Sequence, residues 1–277
     1  MISMSYLLQP SKWVEEVAGF RLDPWQKTVL DWPDQYQAWC CARQAGKSTG
    51  IALRSAWQVL TREGQLVLLF SKSQRQSGEL IRKVFDIYSR VIRSEGYTGP
   101  RRDNDAAFEL SLDNGSRVLA LPGNDESILG YSPNLVAIDE AAVVPDSFFK
   151  SVTPMLSRSH GSLILGSTPR GKRGFFWNDV WKIKDEPDSQ WKYMSIVIEQ
   201  CTYADAKFLA AEAKRLGPDW FDQEYHCKFL EVAGALFSDD MINAIFTDDG
   251  YVIDPGAFDV NLLEDGWGWQ GSFDATA

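Results

Sequence analysis

The stretch whose reading decides the fold is Cys41-Ala42-Arg43-Gln44-Ala45-Gly46-Lys47-Ser48-Thr49. Before it, the short apolar run Gln37 to Cys41 predicts a buried strand; after it, Ile51, Leu53, Ala56, Trp57 and Leu60 predict a helix that Gly64 ends. A loop in that position exposes backbone N–H groups at the positive end of a helix, and these can enclose an anion. Gly46 lets the backbone approach closely, Lys47 reaches the β- and γ-phosphates of a nucleotide, and the Ser48 hydroxyl ligates Mg²⁺. The widespread form of this loop has Gly where this chain has Cys41, which weakens the pattern but leaves the mechanism intact.

A second element strengthens the reading. Leu135-Val136-Ala137-Ile138 runs straight into Asp139-Glu140, and an apolar strand ending in two acids is costly unless a cation or a reacting water meets them. Asp139 is expected to hold Mg²⁺ through water, and Glu140 to polarise the water that attacks a γ-phosphate. A bare helix cap is the plainer use of two such acids. A third element, Gly166-Ser167-Thr168-Pro169, ends the next strand; its hydroxyls suit a γ-phosphate sensor, or simply a polar turn set by Pro169. Its basic sequel Arg170-Gly171-Lys172-Arg173-Gly174 suggests a loop near DNA phosphates. Upstream, Gln26 follows Asp23-Pro24-Trp25, and its amide can both donate to and accept from adenine, although Pro at a helix start explains the same residues.

Short apolar runs alternating with amphipathic stretches indicate a mostly parallel sheet covered by helices on both faces. The expected strands are Gln37 to Cys41, Gln65 to Phe70, Leu135 to Asp139, Ser162 to Gly166 and Trp191 to Ile198, with a long helix through Leu80 to Ile92. Alternation on either side of Asp113-Asn114-Gly115 predicts a β-hairpin, Ala107 to Leu121, inserted before the acidic strand. Two more helices, Asp205 to Leu216 and Pro218 to Phe229, close the compact part.

These residues resemble the ATPase domain of phage terminase large subunits, the motors that package double-stranded DNA into procapsids. The resemblance spans roughly Pro24 to Phe237. It rests on Pro24-Trp25-Gln26, on Arg43 to Thr49, on Leu135 to Ala142 (LVAIDEAA), on Gly166 to Gly171, on Gln223-Glu224-Tyr225 and on Gly234-Ala235-Leu236-Phe237. It implies a P-loop NTPase of the additional-strand catalytic glutamate type, with ATP and Mg²⁺ as cofactors. Lys47, Arg43 and Glu140 would be catalytic, Arg43 sensing or positioning phosphate; Gln26 and residues 43–49 (Arg43, Gln44, Ala45, Gly46, Lys47, Ser48, Thr49), with Ser167 and Thr168, would bind nucleotide; Ser48 and Asp139 would hold the metal. Ser167 and Thr168 would couple hydrolysis to motion. Family members often carry Arg-Gly shortly before the acidic strand, where this chain has Leu129-Gly130, so Arg101 and Arg102 become weaker candidates for an arginine acting on a neighbouring subunit. The implied partners are double-stranded DNA, the terminase small subunit, the portal protein and other copies of the chain in a ring, with the free chain a monomer.

Composition limits the alternatives. The net charge of -10 belongs to the end of the chain: residues 231–277 hold ten acids and no Lys or Arg, so the first 230 residues carry 28 charges of each sign. Lys72 to Arg102 carries eight basic residues against three acids, room for a local basic surface. Four cysteines without disulfide or metal spacing, two histidines and no apolar run near the length of a membrane span point to a reducing cytoplasm, with no export and no membrane. The expected organisation is an ATPase domain over residues 1–233, an acidic linker over 234–265 and, over 266–277, either what the resemblance implies, the truncated start of a ribonuclease H-like nuclease domain in which Asp274 would be the first metal-binding carboxylate, or a plain acidic tail. One such carboxylate cannot organise two-metal cleavage, so nuclease activity is not expected of this chain. A helicase of related fold would need a second such domain, a small-molecule kinase would be ill served by Glu140, and a DNA-binding module with a vestigial ATP site would not need Lys47, Asp139 and Glu140 together.

Overall fold

The computed structural model describes residues 3–231 except 33–35, 105, 124–129 and 203. They belong to a compact unit of residues 1–232, and the linker and nuclease-like segment expected beyond it, Asp274 included, lie outside the described residues.

Three short helices, α1 (Met4–Leu8), α2 (Pro10–Glu16) and α3 (Pro24–Leu30), precede β1 (Tyr36–Cys41) and α4 (Lys47–Thr61). There follow β2 (Leu66–Ser71), α5 (Gln74–Ile92), β3 (Glu109–Ser111), β4 (Arg117–Pro122), β5 (Leu135–Asp139), α6 (Asp146–Leu156), β6 (Ser162–Ser167), β7 (Trp191–Ile196), α7 (Ala206–Leu216) and α8 (Pro218–Tyr225). The seven strands form one sheet in the order β3-β4-β2-β5-β6-β1-β7, parallel throughout except for the antiparallel β3–β4 pair. β6 lies between β1 and the acidic strand β5, which is the additional-strand arrangement.

The inner strands β2, β5 and β6 are apolar over most of their length because their residues alternate between two cores. Trp39, Cys41, Val67, Leu69, Leu135, Ala137 and Ile164 face the core shared with α2 to α5. Ala38, Cys40, Leu68, Phe70, Val136, Ile138 and Leu165 face the core shared with α6 and a π-helical turn, Phe176–Trp181. Helix α4 is covered almost all round. Its Arg54 guanidinium donates to the Leu30 carbonyl at 2.7 Å and lies 4.6 Å over the Trp57 ring, and burial lowers its pKa to about 10. Trp57 Nε1 donates to the Tyr6 carbonyl at 2.8 Å.

Several boundaries depart from the sequence reading. The Ala107 to Leu121 hairpin turns at Asp113 to Gly115 and precedes the acidic strand, as expected; beyond that reading, β4 also pairs with β2 in parallel, so the hairpin widens the main sheet. Its run Val118 to Ala120 is buried, which an exposed insertion would not require. Helix α4 ends at Thr61, and Gly64 instead serves the turn into β2, its N–H donating to the Asn114 carbonyl at 3.1 Å. Strand β7 stops at Ile196 because Ile198–Gln200 forms a 3₁₀ turn. Helix α8 stops at Tyr225, short of Phe229, because Cys227 adopts φ +59° and its thiol donates to the carbonyls of Cys40 (3.4 Å) and Ile196 (3.3 Å). All four cysteines are buried, and none forms a disulfide.

Trp57 joins the N-terminal helices to α4 and packs two guanidinium groups, Arg54 and Arg62. Trp57→Ala is expected to cost about 3–5 kcal/mol of unfolding free energy in a urea titration, with no change in the slope.

Candidate functional site

The carboxyl ends of β1, β5 and β6 meet at one edge of the sheet. Register sets Cys40 beside Ser167 and Asp139 beside Gly166, so the loop after β1 and the acids after β5 open on the same cleft with only Gly166 between them. The loop doubles back through Gln44 (φ +64°) and Gly46 (φ +87°), and Gly46 then caps α4. A Cβ at Gly46 would stand 2.9 Å from Gln26 Nε2, the end of a side chain that can give way, so it is the left-handed backbone that calls for glycine here.

Lys47 is buried and its Nζ lies 2.7 Å from Glu140 Oε1 and 3.1 Å from Asp139 Oδ1. Burial works against its charge, but the two carboxylates outweigh burial and hold the ammonium charged above its ordinary range. The Ser48 hydroxyl donates to Asp139 Oδ2 at 2.5 Å. Glu140 takes a left-handed backbone conformation (φ +58°), a strained choice for a residue with a side chain, and this turns its carboxylate back over the cleft. The cleft, about 340 Å³, is lined by residues 42–49, Lys83, Glu140 and Thr168; a neighbouring hollow of about 200 Å³ reaches Ser48, Asp139, Glu79 and Lys83. A larger hollow of about 520 Å³, beside Phe149 and His160, has no loop of backbone N–H groups and none of this constellation. Among the described residues no three His, Cys, Asp or Glu side chains gather as a metal cluster. The hydroxyl of Ser48 and the carboxylate of Asp139 are hard oxygen donors suited to Mg²⁺, which keeps most of its ligands as water.

Gln26 reaches the loop, but both ends of its amide are engaged, Oε1 accepting from Asp23 N–H at 3.0 Å and Nε2 donating to the Gly46 carbonyl at 3.4 Å. The Ser167 hydroxyl does not face the cleft. It accepts from Ala142 N–H at 3.0 Å and donates to the Thr168 carbonyl, which ties the end of β6 to the turn that carries Glu140. Thr168 lines the cleft. The arginines 101 and 102 lie at the β3 edge, their guanidinium groups over the Tyr97 (5.0 Å) and Phe85 (4.6 Å) rings, far along the sheet from their own phosphate loop. The basic loop after β6 is largely neutralised: Arg170 pairs with Glu224 at 3.1 Å, Lys172 pairs with Glu231, and Arg173 is exposed.

Sequence reasoning assigned no role to Gly166 or Glu224. A Cβ at Gly166 would stand 2.9 Å from Lys47 Cγ and Cδ, so glycine makes the floor along which the lysine arm runs. Glu224 is nearly sealed, with 5% of its side chain exposed, yet meets two guanidinium groups, those of Arg43 and Arg170. Its signal was the acid inside Gln223-Glu224-Tyr225, but nothing in the linear sequence indicates which cations it meets.

The family model for the N-terminal part of T4-like virus terminase large subunits matches residues 40–244, well over half of the chain. The chain belongs to the terminase large subunit family. Over 101 residues it is 29% identical to a probable terminase large subunit of Enterobacteria phage P7, a match covering 35% of this chain and 20% of that protein. Among solved structures, the ATPase domain of the Thermus phage P74-26 large terminase, in a mutant form, matches with a TM-score of 0.69 at 18% identity, over 80% of this chain and all of that one. The large terminase of bacteriophage HK97 matches with a TM-score of 0.66 at 14% identity, over 79% of this chain and 54% of that one. The large terminase of a thermophilic bacteriophage, solved in complex with ATP-gamma-S, matches with a TM-score of 0.60 at 18% identity, over 76% of this chain and 53% of that one. The terminase chain thus has the P-loop NTPase fold of these ATPase domains, and it spans about half the length of the latter two proteins. No helix among the described residues is long and apolar enough to cross a membrane.

Gly166→Ala is expected to push the Lys47 arm off its rotamer and weaken ADP binding about three- to tenfold, and, by crowding the Lys47 arm and Ile51, to lower the thermal unfolding midpoint. Isothermal titration beside a thermal melt checks both parts.

Proposed function

We propose that this terminase chain hydrolyses ATP with Mg²⁺, and that in the assembled motor this hydrolysis drives double-stranded viral DNA into a procapsid. The observation that carries the reading is the set Ser48, Lys47, Asp139 and Glu140, gathered within hydrogen-bond reach at the mouth of one cleft. Ser48 and Asp139 would hold Mg²⁺, which when bound supplies charge neutralisation to the β- and γ-phosphates. Lys47 would exchange its pairing with Glu140 for phosphate oxygens, and the released Glu140 carboxylate would accept the proton of the attacking water. Ser167 would act through the backbone of the Glu140 turn, and Thr168 directly from the cleft wall. Residues 43–49 would cradle the phosphates, with Arg43 aimed at the outermost one; Gln26 would meet adenine after giving up one of its present bonds.

Family membership supports the partners as well: the terminase small subunit, the portal protein of the procapsid and further copies of the chain in a ring, working in the host cytoplasm. In such a ring, Arg101 or Arg102 at the outer edge of the sheet would serve a neighbour's cleft rather than its own. The described basic loop offers one exposed cation, Arg173, for DNA phosphates. No nuclease activity is proposed for this chain.

Lys47→Ala is expected to abolish ATP turnover, and Glu140→Gln to keep nucleotide affinity while lowering turnover by roughly a hundredfold or more, the scale of a lost general base. Turnover is followed with and without linear duplex DNA at several protein concentrations; a Lys47→Ala chain with undiminished turnover refutes the site.

A further inference from the structure

Glu224 stands at a junction that neither the phosphate loop nor the acidic strand explains. Its Oε2 accepts from Arg43 at 3.3 Å and its Oε1 from Arg170 at 3.1 Å. The backbones support the same junction: Arg43 N–H donates to the Glu224 carbonyl at 2.7 Å, and Gly171 N–H to Gln223 Oε1 at 2.9 Å. One turn of α8 therefore grips both the start of the phosphate loop and the loop that follows Thr168. The two ends of the Arg43 pair are unequal. The carboxylate is nearly sealed, whereas 59% of the Arg43 side chain is exposed and the residue lines the cleft. A sealed carboxylate needs a cation, and Arg170 supplies one even when Arg43 turns away.

We infer that Glu224 is a specificity-determining residue of the nucleotide site: it competes with the terminal phosphate for Arg43, and so sets how strongly the cleft prefers a nucleoside triphosphate over a diphosphate. The inference rests on the reading of the cleft as a nucleotide site. A γ-phosphate draws Arg43 from Glu224, and Arg170 then takes the whole carboxylate as a bidentate pair. A diphosphate leaves Arg43 where it is. The loop Thr168 to Gly171 thereby feels which nucleotide is bound, through a carboxylate that never touches the ligand.

The test is the ratio of ATP-gamma-S to ADP dissociation constants, measured with Mg²⁺ on the whole chain. Glu224→Gln keeps the shape and removes the competitor, so ATP-gamma-S affinity is expected to rise about three- to fivefold, the size of a partly exposed charge pair, with ADP affinity unchanged. Arg170→Ala leaves the carboxylate to Arg43 alone and is expected to shift the ratio the opposite way. In an Arg43→Ala background neither change moves the ratio. A merely structural role shifts both nucleotides together, and that result overturns the inference, as does a ratio shift that survives Arg43→Ala. If Glu224→Gln does not fold, Glu224→Asp, whose shorter arm drops one guanidinium, is read by the same ratio. A parent chain that binds neither nucleotide refutes the site itself, and the inference with it; one that binds both without a ratio shift in the variants refutes the inference alone.

Discussion

The structure depends on keeping one ammonium charged where water is scarce. Lys47 is sealed between the first turn of α4 and the ends of β5 and β6, and only the two carboxylates at positions 139 and 140 offset the cost of its desolvation. That requirement fixes much else. The acids must end a strand at the level where the loop leaves β1, the strand between must carry a residue without a side chain, Gly166, beneath the lysine arm, and Glu140 must accept a left-handed backbone to reach back. A buried triad of this kind adds little to stability on its own. What it provides is a cluster of opposite charges, paired with one another at the mouth of the cleft.

The sheet and the cleft were legible in the sequence because both arise from local rules. A five- or six-residue apolar run between turn signals fits a strand buried on both faces, and a glycine-lysine-serine loop between such a run and a helix fits an anion site at a helix N-terminus. What escaped was long-range. The β4 pairing with β2 spans some fifty residues and leaves no local trace beyond an apolar stretch, so the sequence showed the hairpin but not the strand it joins. The end of α8 depends on a thiol finding carbonyls of two strands far away in sequence, and periodicity alone would have run the helix on to Phe229.

The same distinction applies to side-chain roles. Lys47, Ser48, Asp139 and Glu140 were named from motifs and lie together. Ser167 was named for its hydroxyl, yet that hydroxyl is engaged with the backbone beside Glu140, so its influence on the cleft passes through the turn it braces. The loop after β6 looked like a DNA-facing basic patch because a linear count of charges does not show Glu224 and Glu231 arriving from over fifty residues downstream. Neutralised cations are common, and a charge run gives no warning of it.

The family match begins at residue 40, yet the hydrogen bonds place the folding boundary far earlier. The Leu30 carbonyl answers the buried guanidinium of Arg54, the Tyr6 carbonyl answers the Trp57 ring, and Gln26 sits over Gly46 of the phosphate loop. Trp13, Val14, Trp25, Val29 and Leu30 fill one side of the core beneath α4. A fragment cut where the shared sequence begins would lose strand β1 before Cys40, bare the flank of its central helix and orphan a buried cation. Sequence kinship and mechanical integrity therefore have different starting points in this protein: the first thirty residues, outside the family match, are the outer wall of its most recognisable element.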